Sequence, residues 1–291
     1  MNGLLLIDKP EGWTSMDVCA KLRGALHEKR IGHSGTLDPM ATGLLVVFVG
    51  RAARAVEFAE AAEKEYLAAL RLGLETDTQD TSGTVLAARE TDVSDAALDA
   101  ALADFRGEIE QIPPMYSAIK VNGKKLYEIA RRGGEVERKP RSVTIFELER
   151  LGRDSAGDVL LRVRCSKGTY IRTLCRDIGA ALGCGGCMSA LRRTRAGEFS
   201  VEEAHTLPDV LEAAAQGRAE TLLLPVDTLF RVHPALTLTG PQERALRNGV
   251  RWTCPLPEGG VYRLYGPDGD FLALGELREG RMCSRKNFFE N

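Results

Sequence analysis

The sequence predicts an α+β protein in two parts, a large mixed body followed by a small β-rich module. Three observations carry this. Apolar runs with strand periodicity and apolar stripes with helical periodicity interleave through the first 230 residues. From about residue 231 the texture changes to short strands and strong turn signals. The length of 291 residues leaves room for one large domain and a small one, or two of middling size, with no internal repeat or low-complexity tract.

In chain order, Leu4–Ile7 reads as a short strand and Asp8-Lys9-Pro10-Glu11-Gly12 as a turn. Thr14 with Asp17 three residues on has the form of a capping box. It opens a helix with Val18, Leu22 and Leu26 on one face. Next comes Gly32-His33-Ser34-Gly35-Thr36-Leu37-Asp38-Pro39, which sets one carboxylate between a glycine-rich loop and a proline. Pro39 disfavours the α conformation at Asp38, so that side chain is expected to project from an extended segment. The apolar run Leu44–Val49 anchors the loop as a buried strand. On the loop alone, Asp38 is a candidate nucleophile or general base, or an ordinary turn residue.

Tyr66 to Leu74 reads as a further strand, and Gly73 through Gly83 as polar and turn-rich. Ser94 caps a helix with Leu98, Leu102 and Phe105 inward, and Gly107 ends it. Pro113-Pro114 then introduces a long, basic, glycine-containing segment, 115–141. Its weak hydrophobic pattern predicts a protruding element that orders on binding. Strands follow at about 142–150 and 158–165. In the second, Val159, Leu161, Val163 and Cys165 alternate with Leu160, Arg162 and Arg164. Ser166-Lys167-Gly168-Thr169 opens a helix expected to bury Ile171, Leu174, Ile178 and Leu182, with Arg172 and Arg176 sharing its polar face. Lys precedes Gly here, the reverse of the P-loop order, so nucleotide hydrolysis is rejected. The strand-to-helix junction is still able to present backbone N–H groups to a phosphate. Finally, Val261–Tyr265 and Phe271–Leu274 flank Gly266-Pro267-Asp268-Gly269-Asp270, a β-hairpin signal. These shifts place a domain boundary near Phe230, giving parts 1–230 and 231–291.

The net charge of −2 hides segregation. Lys120, Lys124, Lys125, Arg131, Arg132, Arg138, Lys139 and Arg141 cluster in one segment, and Arg162, Arg164, Lys167, Arg172 and Arg176 in a second without an acid between them. Arg192, Arg193 and Arg195 form a third group. A basic face of this kind would neutralise several phosphates on a near-neutral protein, and the competing reading is a set of solvated faces. Seven scattered cysteines argue against a disulfide framework. Cys184 and Cys187 have the spacing of half a zinc site, but no second ligand pair accompanies them, so reduced structural thiols are expected. No stretch reaches the roughly 18 apolar residues of a membrane span, and the short run Leu4–Ile7 is no signal peptide. A cytoplasmic location is the expectation.

Six ordered stretches now resemble one family over nearly the whole chain. They are Leu6–Ser15 (Leu-Ile-Asp-Lys-Pro-Glu-Gly-Trp-Thr-Ser), Gly32–Gly43 around Asp38, Lys64-Glu65-Tyr66, Gln111–Lys120, Cys165–Thr173 and Leu191-Arg192-Arg193. The chain resembles the bacterial TruB-type tRNA pseudouridine-55 synthases. The resemblance implies a mixed, mostly antiparallel sheet with flanking helices (the pseudouridine synthase fold), plus a small C-terminal β-barrel of the PUA type that binds RNA. It makes segment 115–141 a thumb-like insertion that closes on an RNA stem-loop.

The same resemblance implies isomerisation of uridine to pseudouridine in the T loop of tRNA, with no cofactor and no metal. The N1–C1′ bond breaks, the uracil rotates, and a C5–C1′ bond forms. Asp38 matches the family's essential aspartate, acting as nucleophile or as the base that takes the ribose 2′ proton. Arg172 matches the arginine that pairs with it, which would keep the carboxylate oriented. Tyr66 matches the tyrosine that stacks on the base and is a candidate for proton removal at C5. His33 matches the histidine that enters the RNA loop when the target base flips out. Tyr170 and Leu191 match residues lining the uracil pocket, while Lys9 and Pro10 are expected to be scaffold.

The expected partner is the tRNA T stem-loop, the expected state a monomer. A guide-RNA-dependent synthase is the rival within the family. Outside it, the alternatives are a tRNA-folding chaperone with incidental catalysis and an aspartate-dependent glycosidase, which lacks a second placed carboxylate.

Overall fold

The structure, a computed structural model, describes residues 1–117, 119–121, 123–130 and 132–290. Arg131 of the basic segment and Ala118 of the Gln111–Lys120 stretch lie outside the described residues, as do the side chains of Lys120 and Lys125.

The first half of the large sheet is built around one doubly buried strand. Strand β1 (Gly3–Lys9) leads through the turn to helix α1 (Ser15–Leu26), whose capping box is present: Thr14 accepts from the Asp17 N–H, and Asp17 from the Thr14 N–H. Strand β2 (Ile31–Ser34) precedes the Asp38 loop, and β3 (Thr42–Val49) follows it. Alternate residues of β3 enter two different cores. Leu45, Val47 and Val49 pack with α1 residues Val18, Leu22 and Leu26, whereas Leu44, Val46 and Phe48 pack with Phe230, Leu274 and Phe288. A strand covered on both faces needs a continuous apolar run, which is why 44–49 has no polar residue.

Helix α2 (Val56–Glu60) leads to the central strand β4 (Lys64–Leu72), and the left-handed Gly73 turns the chain into hairpin β5 (Leu74–Thr76) and β6 (Val85–Ala88). Helix α3 (Asp95–Asp104) is capped by Ser94 and buries Leu98 and Leu102. Strand β7 (Gly107–Gln111) begins at the left-handed Gly107. Within the basic segment, a short hairpin, β8 (Lys120–Val121) with β9 (Lys124–Lys125), leads into helix α4 (Leu126–Ala130), where Leu126 is a buried anchor at 1% exposure, and the described residues 132–140 carry no helix or strand.

Strand β10 (Arg141–Arg153) and β11 (Val159–Cys165) lead into helix α5 (Ile171–Ala181) and the long strand β12 (Gly186–Ala196). Val159, Leu161, Val163 and Cys165 all face the core with α3 and α5, as their alternation predicts. Helix α5 buries Ile171, Leu174 and Ile178, with Leu182 partly buried at its end. One expectation fails here. Arg172 does not share a polar face with Arg176: it is buried at 5% exposure, because the helix enters the core at its first turn.

Short strands β13 (Phe199–Ser200) and β14 (His205–Thr206) and helix α6 (Leu207–Ala215) complete the body. The large sheet runs β14-β1-β3-β12-β4-β11-β10-β7, with β13 on β12 and β2 on β3. Only β1–β14 and β3–β12 are parallel among its described pairs, so the sheet is mixed and mostly antiparallel.

A second, five-stranded sheet contains β15 (Ala235–Thr237), β16 (Trp252–Thr253), β17 (Val261–Tyr265), β18 (Phe271–Arg278) and β19 (Arg281–Asn287), with helix α7 (Gly240–Arg247). The hairpin predicted at 266–270 joins β17 to β18, with Gly269 left-handed. Phe230 contacts Phe58 edge-on at 5.1 Å and lies 5.8 Å from Phe288, so the second sheet shares a core with β1 and β3. No helix among the described residues is long and apolar enough to cross a membrane.

Candidate active site

The Asp38 loop is fixed from below by the segment that starts α1. The buried Ser15 hydroxyl accepts from the Leu37 N–H at 2.9 Å and donates to the Leu37 carbonyl at 3.2 Å. The Gly12 N–H donates to the Pro39 carbonyl, and so does the Lys9 ammonium at 3.3 Å. Lys9 is fully buried, and its other donors go to the carbonyls of Pro10 and Trp13. Burial pulls its pKa down to about 8, against the attraction of Asp38. Leu37 is buried in the core while Asp38 stays about one-third exposed. Alternating a buried leucine with a half-open carboxylate leaves the acid at the surface of a rigid base.

Arg172 meets Asp38 in a two-pronged contact: Nε lies 2.9 Å from Oδ2 and Nη2 lies 3.2 Å from Oδ1. Such a fork fixes the carboxylate plane as well as its position. The remaining donors of Arg172 go to the Thr78 carbonyl at 2.9 Å and the Tyr116 carbonyl at 2.8 Å, and Asp80 stands 3.7 Å from Nε. Asp80 is itself held by the Thr78 and Ser82 hydroxyls and the Ser82 N–H. The polar turn between β5 and β6 is therefore a socket for Arg172. Sequence reading saw that turn only as turn-rich; the Asp80 pattern, flanked by hydroxyls two residues either side, was the available signal.

Tyr66, on β4, is 8% exposed, and Leu191, on β12, is also 8% exposed; both join Leu37 and Ala41 in one cluster. Burial raises the Tyr66 pKa, opposed by the nearby Arg193 guanidinium. Tyr170 precedes α5, where no side chain caps the helix. Its peptide is gripped instead by Gln111, whose Oε1 accepts from the Tyr170 N–H at 3.0 Å and whose Nε2 donates to the Tyr170 carbonyl at 3.2 Å. Burial raises the Tyr170 pKa, and Asp38 and Arg172 are among the charges acting on it. Asp38, Arg172, Tyr66, Tyr170 and Leu191 thus converge from a loop, a helix and two strands.

His33 sits on β2 opposite Val47, just before the loop. Its Nδ1 is buried without a partner among the described residues, and burial lowers its pKa, with Arg193 and Arg23 adding to the effect. No hydrogen bond or ion pair joins it to Asp38 among the described residues.

The basic clusters resolve unevenly. Arg162 pairs with Glu149, and Arg164 with both Glu63 and Glu147, carboxylates supplied by neighbouring segments that the sequence does not place beside them. Arg176 pairs with Asp177 and Arg192 with Asp8. Arg193, counted with its neighbours as a surface cation, is 1% exposed. Lys167 and Arg195 remain exposed. Cys187 is fully buried and the Cys184 thiol points at the carbonyls of Gly179 and Gly185.

Residues 23–171 match the TruB family pseudouridylate synthase N-terminal domain, and residues 172–231 match the tRNA pseudouridylate synthase B C-terminal domain. The tRNA pseudouridine synthase B of Aromatoleum aromaticum is 48% identical over 277 residues, covering 95% of this chain and 89% of that protein. Its counterpart in Syntrophomonas wolfei is 45% identical over 282 residues, covering 95% and 93%. That of Dechloromonas aromatica is 44% identical over 291 residues, covering 100% and 96%. Among solved structures, a chain of a Cbf5-Nop10-Gar1 complex superposes with a TM-score of 0.74 at 27% identity, covering 99% of this chain and 85% of that one. A chain of an H/ACA RNP bound to a substrate RNA containing 2′-deoxyuridine gives a TM-score of 0.74 at 25% identity, with the same coverage.

Proposed function

The chain belongs to the TruB family of pseudouridylate synthases, and on that premise we propose how its own residues isomerise uridine in tRNA. The target is uridine 55 of the T loop. The observation that carries the reading is the forked Arg172–Asp38 contact at the exposed edge of a rigid loop. A carboxylate held in one plane, charge-compensated and still partly open, is placed to act on a ribose brought to it.

The target nucleotide leaves its stack, which costs a few kcal/mol, and stacking on an aromatic ring returns roughly 1–3 kcal/mol. Tyr66 provides that ring, with Leu191 and Tyr170 lining the uracil pocket, and His33 fills the place the base vacates. Asp38 acts at the ribose, by attack at C1′ or by removing the 2′ proton; either route breaks N1–C1′. The uracil turns, C5 bonds to C1′, C5 gives up its proton, and N1 takes one. Tyr66 is the candidate to take the C5 proton at its phenol oxygen, giving up its own phenolic proton as it does so. The basic segment 115–141 acts as a thumb on the stem-loop, and residues 231–291 form a PUA-type RNA-binding module. The enzyme works as a cytoplasmic monomer.

Incubation with unmodified tRNA carrying tritium at uracil C5 tests this directly. Tritium should appear in water with the wild-type protein and not with Asp38→Asn, while the variant still binds tRNA. No release by the wild type, or undiminished release by the variant, would overturn the assignment.

A further inference from the structure

Arg193 is among the largest fully buried side chains of the molecule, yet it forms no ion pair among the described residues. A buried cation without a carboxylate is costly, so its donors must be satisfied by oriented dipoles. They are. Nε donates to the Leu44 carbonyl at 2.7 Å, and Nη2 to the Gly35 carbonyl at 2.9 Å. Those two carbonyls are the two ends of the Asp38 loop, one just after β2 and one inside β3.

The backbone around Arg193 is tied to the same loop. In the parallel β3–β12 contact Arg193 pairs with Gly43, where a Cβ would lie 2.3 Å from the Arg193 carbonyl oxygen. Gly43 is left-handed, so only glycine permits this approach. On the other side of β12, Arg193 is the direct register partner of Tyr66 in β4. Directly opposed residues project to the same face of a sheet, and both of these side chains are buried. Gly35 faces the guanidinium as well: a Cβ there would stand 3.2 Å from Nη1.

We infer that Arg193 is a positioning residue, a clasp that closes the Asp38 loop at both ends and holds the Tyr66 hydroxyl in fixed relation to it. The inference rests on the reading of Asp38 and Tyr66 as the reacting groups. A rigid fork is required because one planar group must reach carbonyls at both ends of the loop from one point, beside the side chain of its register partner Tyr66. Lysine keeps the charge but not the fork, and methionine keeps neither.

The test is single-turnover tritium release from C5-labelled tRNA, alongside tRNA affinity and thermal melting. The proteins are wild type, Arg193→Lys, Arg193→Met, Tyr66→Phe and the Arg193→Lys/Tyr66→Phe double variant. Arg193→Lys should melt cooperatively, bind tRNA within about threefold of wild type and react roughly 10–100-fold more slowly, the scale expected when reacting groups are misplaced by an ångström. In the Tyr66→Phe background the same change should slow the reaction by a clearly smaller factor than in the wild type, because the part of the loss that runs through the hydroxyl is already gone while the part that runs through the Asp38 loop remains.

Wild-type rates for Arg193→Lys, or losses that simply multiply in the double variant, would overturn the assignment. So would failure of both Arg193 variants to fold, which would make the residue purely structural. These results are separable from failure of the functional reading. In that case the wild type itself releases no tritium, or Asp38→Asn releases it as well.

Discussion

Arginines on the two faces of the large sheet behave as different residues. On the solvent face, Arg164 spans Glu63 and Glu147 and lies over the Phe146 ring, and Arg162 meets Glu149, all partly open to water. On the core side, Arg172 of α5 and Arg193 of β12 are nearly sealed, and their donors are met by backbone carbonyls, with the partly exposed Asp38 carboxylate in the fork of Arg172 and the buried Asp80 carboxylate 3.7 Å from it. Exposed pairs are screened and mobile, so they confer solubility and little else. Buried forks have no alternative solvent partner, and losing one leaves several groups unsatisfied at once. Placement on the core face converts a charge into a device for orienting Asp38.

Substitutions on the two faces should therefore separate cleanly. The largest effect is expected from Arg172→Met, which frees Asp38, leaves the Thr78 and Tyr116 carbonyls without their donor and leaves the buried Asp80 carboxylate without its cation. Its tritium-release rate should fall on the order of 100-fold or more, and its stability by about 2–4 kcal/mol in urea melts. A variant with wild-type activity would erase the distinction between the faces.

Next is Gly43→Ala, with a methyl driven against the Arg193 backbone at a left-handed position. A loss of about 2–4 kcal/mol is expected by the same measurement. A neutral outcome would mean the β3–β12 junction yields easily.

A smaller effect concerns Lys9. Burial lowers its pKa from 10.5 to about 8, so between these values the unfolded chain binds a proton that the folded chain has released. Stability therefore rises with pH across that window. Compared with Lys9→Met, the wild type should gain stability from about pH 8 to about pH 10, read from urea midpoints. A constant difference would put the Lys9 proton outside that range.

The smallest effect belongs to the solvent face. Arg164→Gln should leave the melting midpoint close to wild type, with any difference shrinking in added salt. A substantial, salt-independent loss would show that this face is structural too.

Much of the molecule could be read from local patterns. The Thr14–Asp17 capping box, the alternation of β11, the hairpin at 266–270 and the doubly buried run 44–49 all depend on neighbours a few residues apart. Asp38, Arg172, Tyr66, Tyr170 and Leu191 were proposed from ordered stretches that resemble those of one family. What the sequence could not carry was orientation. It placed Arg172 with Arg176 on a polar face, and Arg193 with Arg192 and Arg195 on the surface. It gave Gln111 no role, and it read the Asp80 turn as connection only. Each of these was decided by contacts spanning 50 or more residues, such as Gln111 with Tyr170 or Arg193 with Gly35. Backbone conformation and burial periodicity are short-range properties, so sequence determined them. Whether an arginine points to water or to a carbonyl depends on what the rest of the chain has already enclosed, and that only the tertiary structure decided.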